Sequence, residues 1–223
     1  MSSRIRALTS SVGSKLLIGA TGLGLVVYLL IHVSANLMVF LGPEVFNGVA
    51  DKLERIPILP VIEIGLLLVF LLHVVKAIEM FLGNQQARPV AYAKKKYAGA
   101  PSRKSLASST MILSGLWLFV FIVIHVKAFK FSPTYEWADG GKDFYRLEMD
   151  NFRNPLIAGF YLLSMLVVGS HLWHGTSSAF QSLGIENQRW TPRLLVAGRA
   201  LAVLVAGAFI GITLWAYFVA SQA

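Results

Sequence analysis

The chain contains no cysteine. It can form no disulfide, hold no iron–sulfur cluster of its own and offer no thiolate to a metal. Charge is scarce too: 14% of the 223 residues are charged, against about 25% in an ordinary soluble domain. Acids are scarcest, 11 Asp and Glu beside 20 Lys and Arg. A basic excess can serve nucleic acid, but this one is collected between apolar runs. It therefore points to the faces of a membrane, and no nucleic-acid partner is expected. No internal repeat or low-complexity tract is evident, and no histidine lies between the runs.

What remains is 56% hydrophobic and gathered into five long stretches. A helix needs about 20 residues, at ~1.5 Å each, to cross ~30 Å of hydrocarbon. Residues 14–41, 57–82, 105–131, 155–181 and 194–219 meet that length. The first run follows Arg4 and Arg6 and contains Val33-Ser34-Ala35, like a secretion signal with its cleavage site. We read it as a retained first span. The stretch 132–154, rich in aromatic and charged residues, is expected to lie along the interface as a short helix or cap. The expected fold is all-α, one integral-membrane domain with five transmembrane helices.

Loop charge orients the spans. Arg4, Arg6, Lys15, Arg88, Lys94, Lys95, Lys96, Arg103, Lys104, Arg189 and Arg193 fall on one side, eleven in all. The other side has five (Lys52, Arg55, Lys142, Arg146, Arg153), together with eight acids. The basic side is expected to be cytoplasmic, with the N-terminus inside and the C-terminus outside.

The five histidines carry the chemistry. His32, His73 and His125 lie in runs one to three, and His171 and His174 in run four. Ionisable side chains at bilayer depth are costly, so each is a candidate functional residue, although a lone one is as often a hydrogen-bonded bundle residue. Counted from the cytoplasmic ends, His73 and His171 lie ten and thirteen residues in, His32 and His125 seventeen and twenty. This predicts two layers, spans two and four inside and spans one and three outside, separated by about seven residues or ~10 Å. Facing neutral imidazoles suit the two axial positions of a haem iron, and a four-helix bundle builds cofactor sites from such facing side chains. A single zinc or copper ion fits four helices and two depths poorly; a histidine proton relay stays open as an alternative. By depth His174, ten residues in, matches His73 slightly better than His171 does. Both share one face, and spacing leaves the choice open. Gly19, Gly22, Gly24, Gly65, Gly115, Gly159, Gly169 and Gly175 give either room for a macrocycle or close helix packing.

Longer motifs narrow the reading. Ser14-Lys15 and Thr21-Gly22-Leu23 precede His32, and Asn36-Leu37 follow it. Asn84-Gln85-Gln86-Ala87-Arg88-Pro89 leads to Tyr92. Ser114-Gly115 precedes His125, which Phe129 follows. His171-Leu172-Trp173-His174-Gly175 runs into Ser178-Ala179-Phe180-Gln181-Ser182-Leu183-Gly184. Over residues 10–190 this ordered set resembles the dihaem cytochrome b membrane-anchor subunit of bacterial succinate dehydrogenase and fumarate reductase. The last span matches only in character.

The resemblance implies two b haems stacked within the four-helix core, with His32 and His125 on one iron and His73 and His171 on the other. It prefers His171 to His174 and leaves His174 near a propionate or quinone. It implies a bacterial cytoplasmic membrane, a flavoprotein subunit with FAD and an iron–sulfur subunit, both docked on the cytoplasmic face. It also implies a membrane quinone as substrate. Arg199 and Lys15 become candidates for the anionic propionates, as do Lys127 and Lys130 at the outer rim. Snorkelling to lipid phosphates is the plainer reading of all four. Glu63 near the outer end of span two is a candidate proton donor to quinone, or an interfacial carboxylate. Ser14, Lys15, Arg189 and Trp190 mark an inner alternative. Lys76 and Glu79 are expected to form a helix ion pair. The competing classes are a haem-free proton-coupled transporter or assembly factor, and a dihaem cytochrome b serving a hydrogenase or formate dehydrogenase.

Overall fold

The computed structural model describes residues 10–87, 105–133, 135–137 and 140–220. The basic stretch 88–104, with the Arg88-Pro89 and Tyr92 motif residues, lies outside them, as do Arg4 and Arg6. In order the helices are α1 (Ser11–Asn36), α2 (Pro43–Glu54), α3 (Leu59–Gln86), α4 (Leu106–Ser109), α5 (Met111–Lys130), α6 (Phe144–Phe152), α7 (Pro155–Ser182) and α8 (Thr191–Ala220), with a 3-10 turn over Leu37–Leu41. Five of these (α1 with its 3-10 extension, α3, α5, α7 and α8) are long and apolar enough to cross a membrane. This is the build of a multi-pass membrane protein. Leu67, Leu68, Val120, Val203 and Leu204 all point outward, a pattern that water penalises and hydrocarbon does not.

The helix ends follow local chemistry. Ser10 caps α1, its hydroxyl accepting from the Gly13 N–H at 3.0 Å. Asn154 caps α7, accepting from the Leu156 N–H at 2.9 Å, with Pro155 at the tolerant first position. The third apolar run is not one helix. Ser105 and Ser108 box the single turn α4, and Thr110, at φ −107° and ψ 11°, breaks the chain before α5.

Helices α1, α3, α5 and α7 form a ring in which each touches its two neighbours, and α8 lies outside it, mainly against α7 and also against α1. Small residues set the α7–α8 contact. Gly198, Ala202 and Ala206 recur every fourth position on α8, and a Cβ on Gly169 would come within 3.1 Å of the Ala206 Cβ. Between helices in lipid, such close backbone approach replaces the hydrophobic drive that water would supply.

At the end of the ring where α1 finishes and α7 begins, α2 and α6 form a cap. The expected interfacial element in 132–154 is α6, while α2 is an addition to the expected elements. Gly42, at φ +94°, makes the turn into it, a conformation that favours glycine. Asn47 is fully buried and joins the two cap helices: its amide donates to Asp143 Oδ1 at 2.8 Å and its carbonyl accepts from the Tyr145 N–H at 2.9 Å. Asp143 in turn caps α6 through the Arg146 N–H at 3.0 Å. An aromatic cluster of Phe121, Phe129, Phe152, Phe160 and Tyr161 packs beneath.

Candidate functional site

Four of the histidines point into the ring at two levels. At the capped level, His32 on α1 and His125 on α5 face each other with ring centroids 5.8 Å apart and planes at 85°. Two imidazole nitrogens on opposite sides of one metal stand about 4 Å apart, at roughly 2 Å per bond, which puts the ring centroids about 6 Å apart. The observed spacing suits that arrangement. Tyr28 stacks on His32 at 5.5 Å one turn earlier, and Phe121 and Phe129 flank His125 at 5.6 and 5.2 Å. The Tyr161 hydroxyl lies 3.2 Å from His125 Nδ1.

At the other level, His73 on α3 and His171 on α7 each meet a hydroxyl from a neighbouring helix. Thr21 Oγ1 lies 3.1 Å from His73 Nδ1, and Ser114 Oγ lies 2.9 Å from His171 Nδ1. A hydroxyl has one proton to give. Thr21 donates its proton to the Leu17 carbonyl at 2.6 Å, and Ser114 donates to the Met111 carbonyl at 3.0 Å. Spent on that carbonyl, the hydroxyl proton leaves each oxygen an acceptor for the ring, the arrangement in which Nδ1 carries the hydrogen and Nε2 keeps its lone pair. That is the tautomer a metal requires, held as outer partners hold ligating histidines. Gly22 makes room for it: a Cβ there would meet His73 Cε1 at 3.2 Å. Gly115 likewise faces His171, whereas Gly19 and Gly169 serve helix packing and Gly65 and Gly159 face open space.

The hydroxyls correct the predicted spacing of the layers. Thr21 stands eleven residues before His32, and Ser114 eleven before His125. Eleven residues make three turns, so hydroxyl and histidine share one face of each helix, about 16 Å apart. The two levels are thus separated by about 16 Å, not ~10 Å. The shorter figure took the run ends as one plane, but α3 continues to Gln86 and the third run is broken at Thr110.

The remaining candidates are dispersed. His171, not His174, makes the hydrogen bond across the ring. The His174 ring makes none among the described residues, while its backbone carbonyl accepts from the Ser177 hydroxyl. Arg199 is exposed and lies over the Trp173 ring, 5.4 Å from its centroid. Trp173 is two residues, about 200°, around α7 from His171, so Arg199 sits across that helix from the histidine. Lys15 is exposed and Ser14 buried in the first turn of α1. Trp190 is exposed between Arg189 and Arg193, whose guanidinium carbons lie 5.9 and 5.4 Å from its ring. Among the described residues no hydrogen bond, ion pair or ring contact joins Ser14 or Lys15 to Trp190. Glu63 is ion-paired with Lys130, bridging α3 and α5 at the capped level. Lys76 and Glu79 form the expected pair at 2.8 Å.

Three contributors are additions to the sequence candidates: the hydroxyls of Thr21 and Ser114, and Tyr161. Thr21 and Ser114 stood in the motifs quoted above, and their eleven-residue spacing to His32 and His125 on two spans was the signal of their role. Glu148 in the cap is another addition. Glu148 is 4% exposed, its Oε1 has no hydrogen-bond partner among the described residues, and burial pushes its carboxyl up to about 8.

His32 with His125, and His73 with His171, are the residues that would hold a metal-bearing macrocycle at each level, between apolar walls. Among the described residues no three His, Cys, Asp or Glu gather as a protein-only metal site. No family model, curated protein or solved structure matches the chain.

Proposed function

We propose that this chain is the dihaem cytochrome b anchor of a succinate:quinone oxidoreductase, carrying electrons between an iron–sulfur subunit and a membrane quinone. The observation that supports it most strongly is the pair of imidazole levels inside one four-helix ring, one of them with rings facing at 5.8 Å. In this reading His32 and His125 hold one b haem, and His73 and His171 the other. When bound, haem supplies reversible one-electron storage at each level. The chain's own residues bind and orient: Thr21 and Ser114 fix the inner imidazoles, while Tyr28, Phe121 and Phe129 wall the outer pair from water.

Dicarboxylate chemistry then belongs to a flavoprotein subunit with FAD, docked together with the iron–sulfur subunit on the cytoplasmic face. The eleven basic residues of that side are the attraction for those partners and for anionic lipid. The reading places the assembly in a bacterial cytoplasmic membrane.

Quinone reduction consumes two electrons and two protons. We favour the capped side for it. Glu63 lies within electrostatic reach of Tyr28, and Tyr28 stacks on His32. Among the described residues, by contrast, no hydrogen bond or ring contact joins Ser14 or Trp190 to a histidine ring. Glu63, ion-paired with Lys130, is the acidic side chain we assign to proton supply there.

The test is a reduced-minus-oxidised visible spectrum of the complex purified through this chain. The reading expects b-type bands that succinate reduces and quinone reoxidises. A chain without haem overturns it. Haem that accepts electrons only from a hydrogenase or formate dehydrogenase partner moves the chain to that class.

A further inference from the structure

Arg199 presents a second chemistry, away from the histidines. Helix α8 is 30 residues long, about 45 Å, and so exceeds ~30 Å of hydrocarbon by roughly 7 Å at each end. Arg199, eight residues after Thr191, sits about 12 Å along it, close to the edge of the hydrocarbon. Trp173 lies nine residues before the end of the antiparallel α7, at the same depth. The guanidinium lies over that ring, 5.4 Å from its centroid. A ring face offsets part of the cost of a buried cation but accepts none of its five N–H donors in a planar fork. Among the described residues Arg199 makes no hydrogen bond and no ion pair. Beside it runs an open groove of about 470 Å³, lined by Trp173, Val196, Arg199, Ala200, Val203 and Leu204. Arg189 and Arg193 stand nearer the helix start, around Trp190.

A fork-shaped cation at the edge of the hydrocarbon, with an apolar trough leading deeper, matches a ligand that has an anionic head and a fatty tail. We propose that this corner binds one anionic phospholipid, its phosphate on the Arg199 guanidinium and an acyl chain along Val196, Ala200, Val203 and Leu204. Charge complementarity selects the anionic lipid, and Trp173 holds the fork in place for it. The site needs neither haem nor a partner subunit.

The test uses native mass spectrometry of the purified chain after exchange from phosphatidylglycerol and from phosphatidylcholine. One phosphatidylglycerol is expected to survive exchange, with no phosphatidylcholine in its place. Arg199→Gln should lower its retention roughly fivefold, the worth of one basic residue at an anionic surface, whereas Arg193→Gln should change it less. Inorganic phosphate should fail to displace it, because the tail contributes to binding. A second measurement needs no Arg199 variant: phosphatidylglycerol with brominated acyl chains should quench the fluorescence lost in Trp173→Phe more than brominated phosphatidylcholine does. Equal retention or equal quenching by the two lipids overturns the proposal, as does unchanged retention in Arg199→Gln. Displacement by phosphate alone would mark an anion site without a lipid.

Discussion

A hydroxyl with one proton decides which nitrogen of a neighbouring imidazole stays free, and Thr21 and Ser114 both do this. An acceptor on Nδ1–H makes the ring a stronger donor to a metal and favours the oxidised state. Thr21→Val and Ser114→Ala should therefore each raise the midpoint potential of the inner haem and leave the outer one unchanged. A bond worth about 1 kcal/mol more in the ferric state corresponds to about 40 mV for one electron. Redox titration followed at the two sets of bands checks this, and Thr21→Ser should behave as the parent chain. If both haems are present and neither potential moves, the hydroxyls serve only packing.

Glu148 makes a prediction outside the spans. Its carboxyl titrates near 8 in the folded chain, against an ordinary value of 4.5, because burial disfavours the charge. Between those values the unfolded chain has lost the proton and the folded chain keeps it, so stability falls as pH rises. This contribution is complete below about 4.5 and gone above about 8. Thermal melts across that window should slope downward, and Glu148→Gln should flatten the slope. Parallel slopes in the two proteins would contradict the assignment.

The cap owes its shape to one side chain. Asn47 ties α2 to α6 by two buried hydrogen bonds, and its removal leaves the Asp143 carboxylate and the Tyr145 N–H without those partners. Asn47→Ala should cost roughly 2–6 kcal/mol, at about 1–3 for each of the two orphaned groups. The loss should be local, so that hydrogen exchange quickens across α2 and α6 while α7 and α8 keep their protection. Uniform quickening through all helices would mean that the cap is not a separable unit. These cap elements were only half legible. The interfacial helix in 132–154 followed from its aromatic and charged character. Helix α2 was marked by Gly42-Pro43-Glu44, a turn residue, a first-turn proline and a first-turn acid, but lies in a stretch too short for any periodic signal to dominate. The five spans were legible because about 20 apolar residues in a row leave the backbone one way to satisfy itself in lipid. Their ends were not, because caps such as Ser10 and breaks such as Thr110 are set by single residues.

Across the whole molecule, the sequence placed every histidine inside an apolar run, and the fold turns four of them into one ring. Depth counting could sort His32 with His125 but not measure the separation of the levels, since the runs neither begin nor end in one plane. Nor could it choose between His171 and His174; that choice rests on Ser114, a serine that in one dimension reads as an ordinary back-bonding hydroxyl. The fifth span, α8, packs outside the ring of α1, α3, α5 and α7 and sets Phe209 against His32 at 5.7 Å, while its exposed Arg199 is where we place further work. The +9 net charge belongs largely to the side on which we dock the partner subunits.

The central claim is that two imidazole pairs on alternate spans each hold one haem. Haem counted per folded chain, in the parent protein and in His32→Leu and His73→Leu, tests it most directly. The account predicts two haems in the parent and one in each variant, with the outer bands lost from the first and the inner bands from the second. No haem in the parent, or equal loss of both sets of bands in either folded variant, would contradict it.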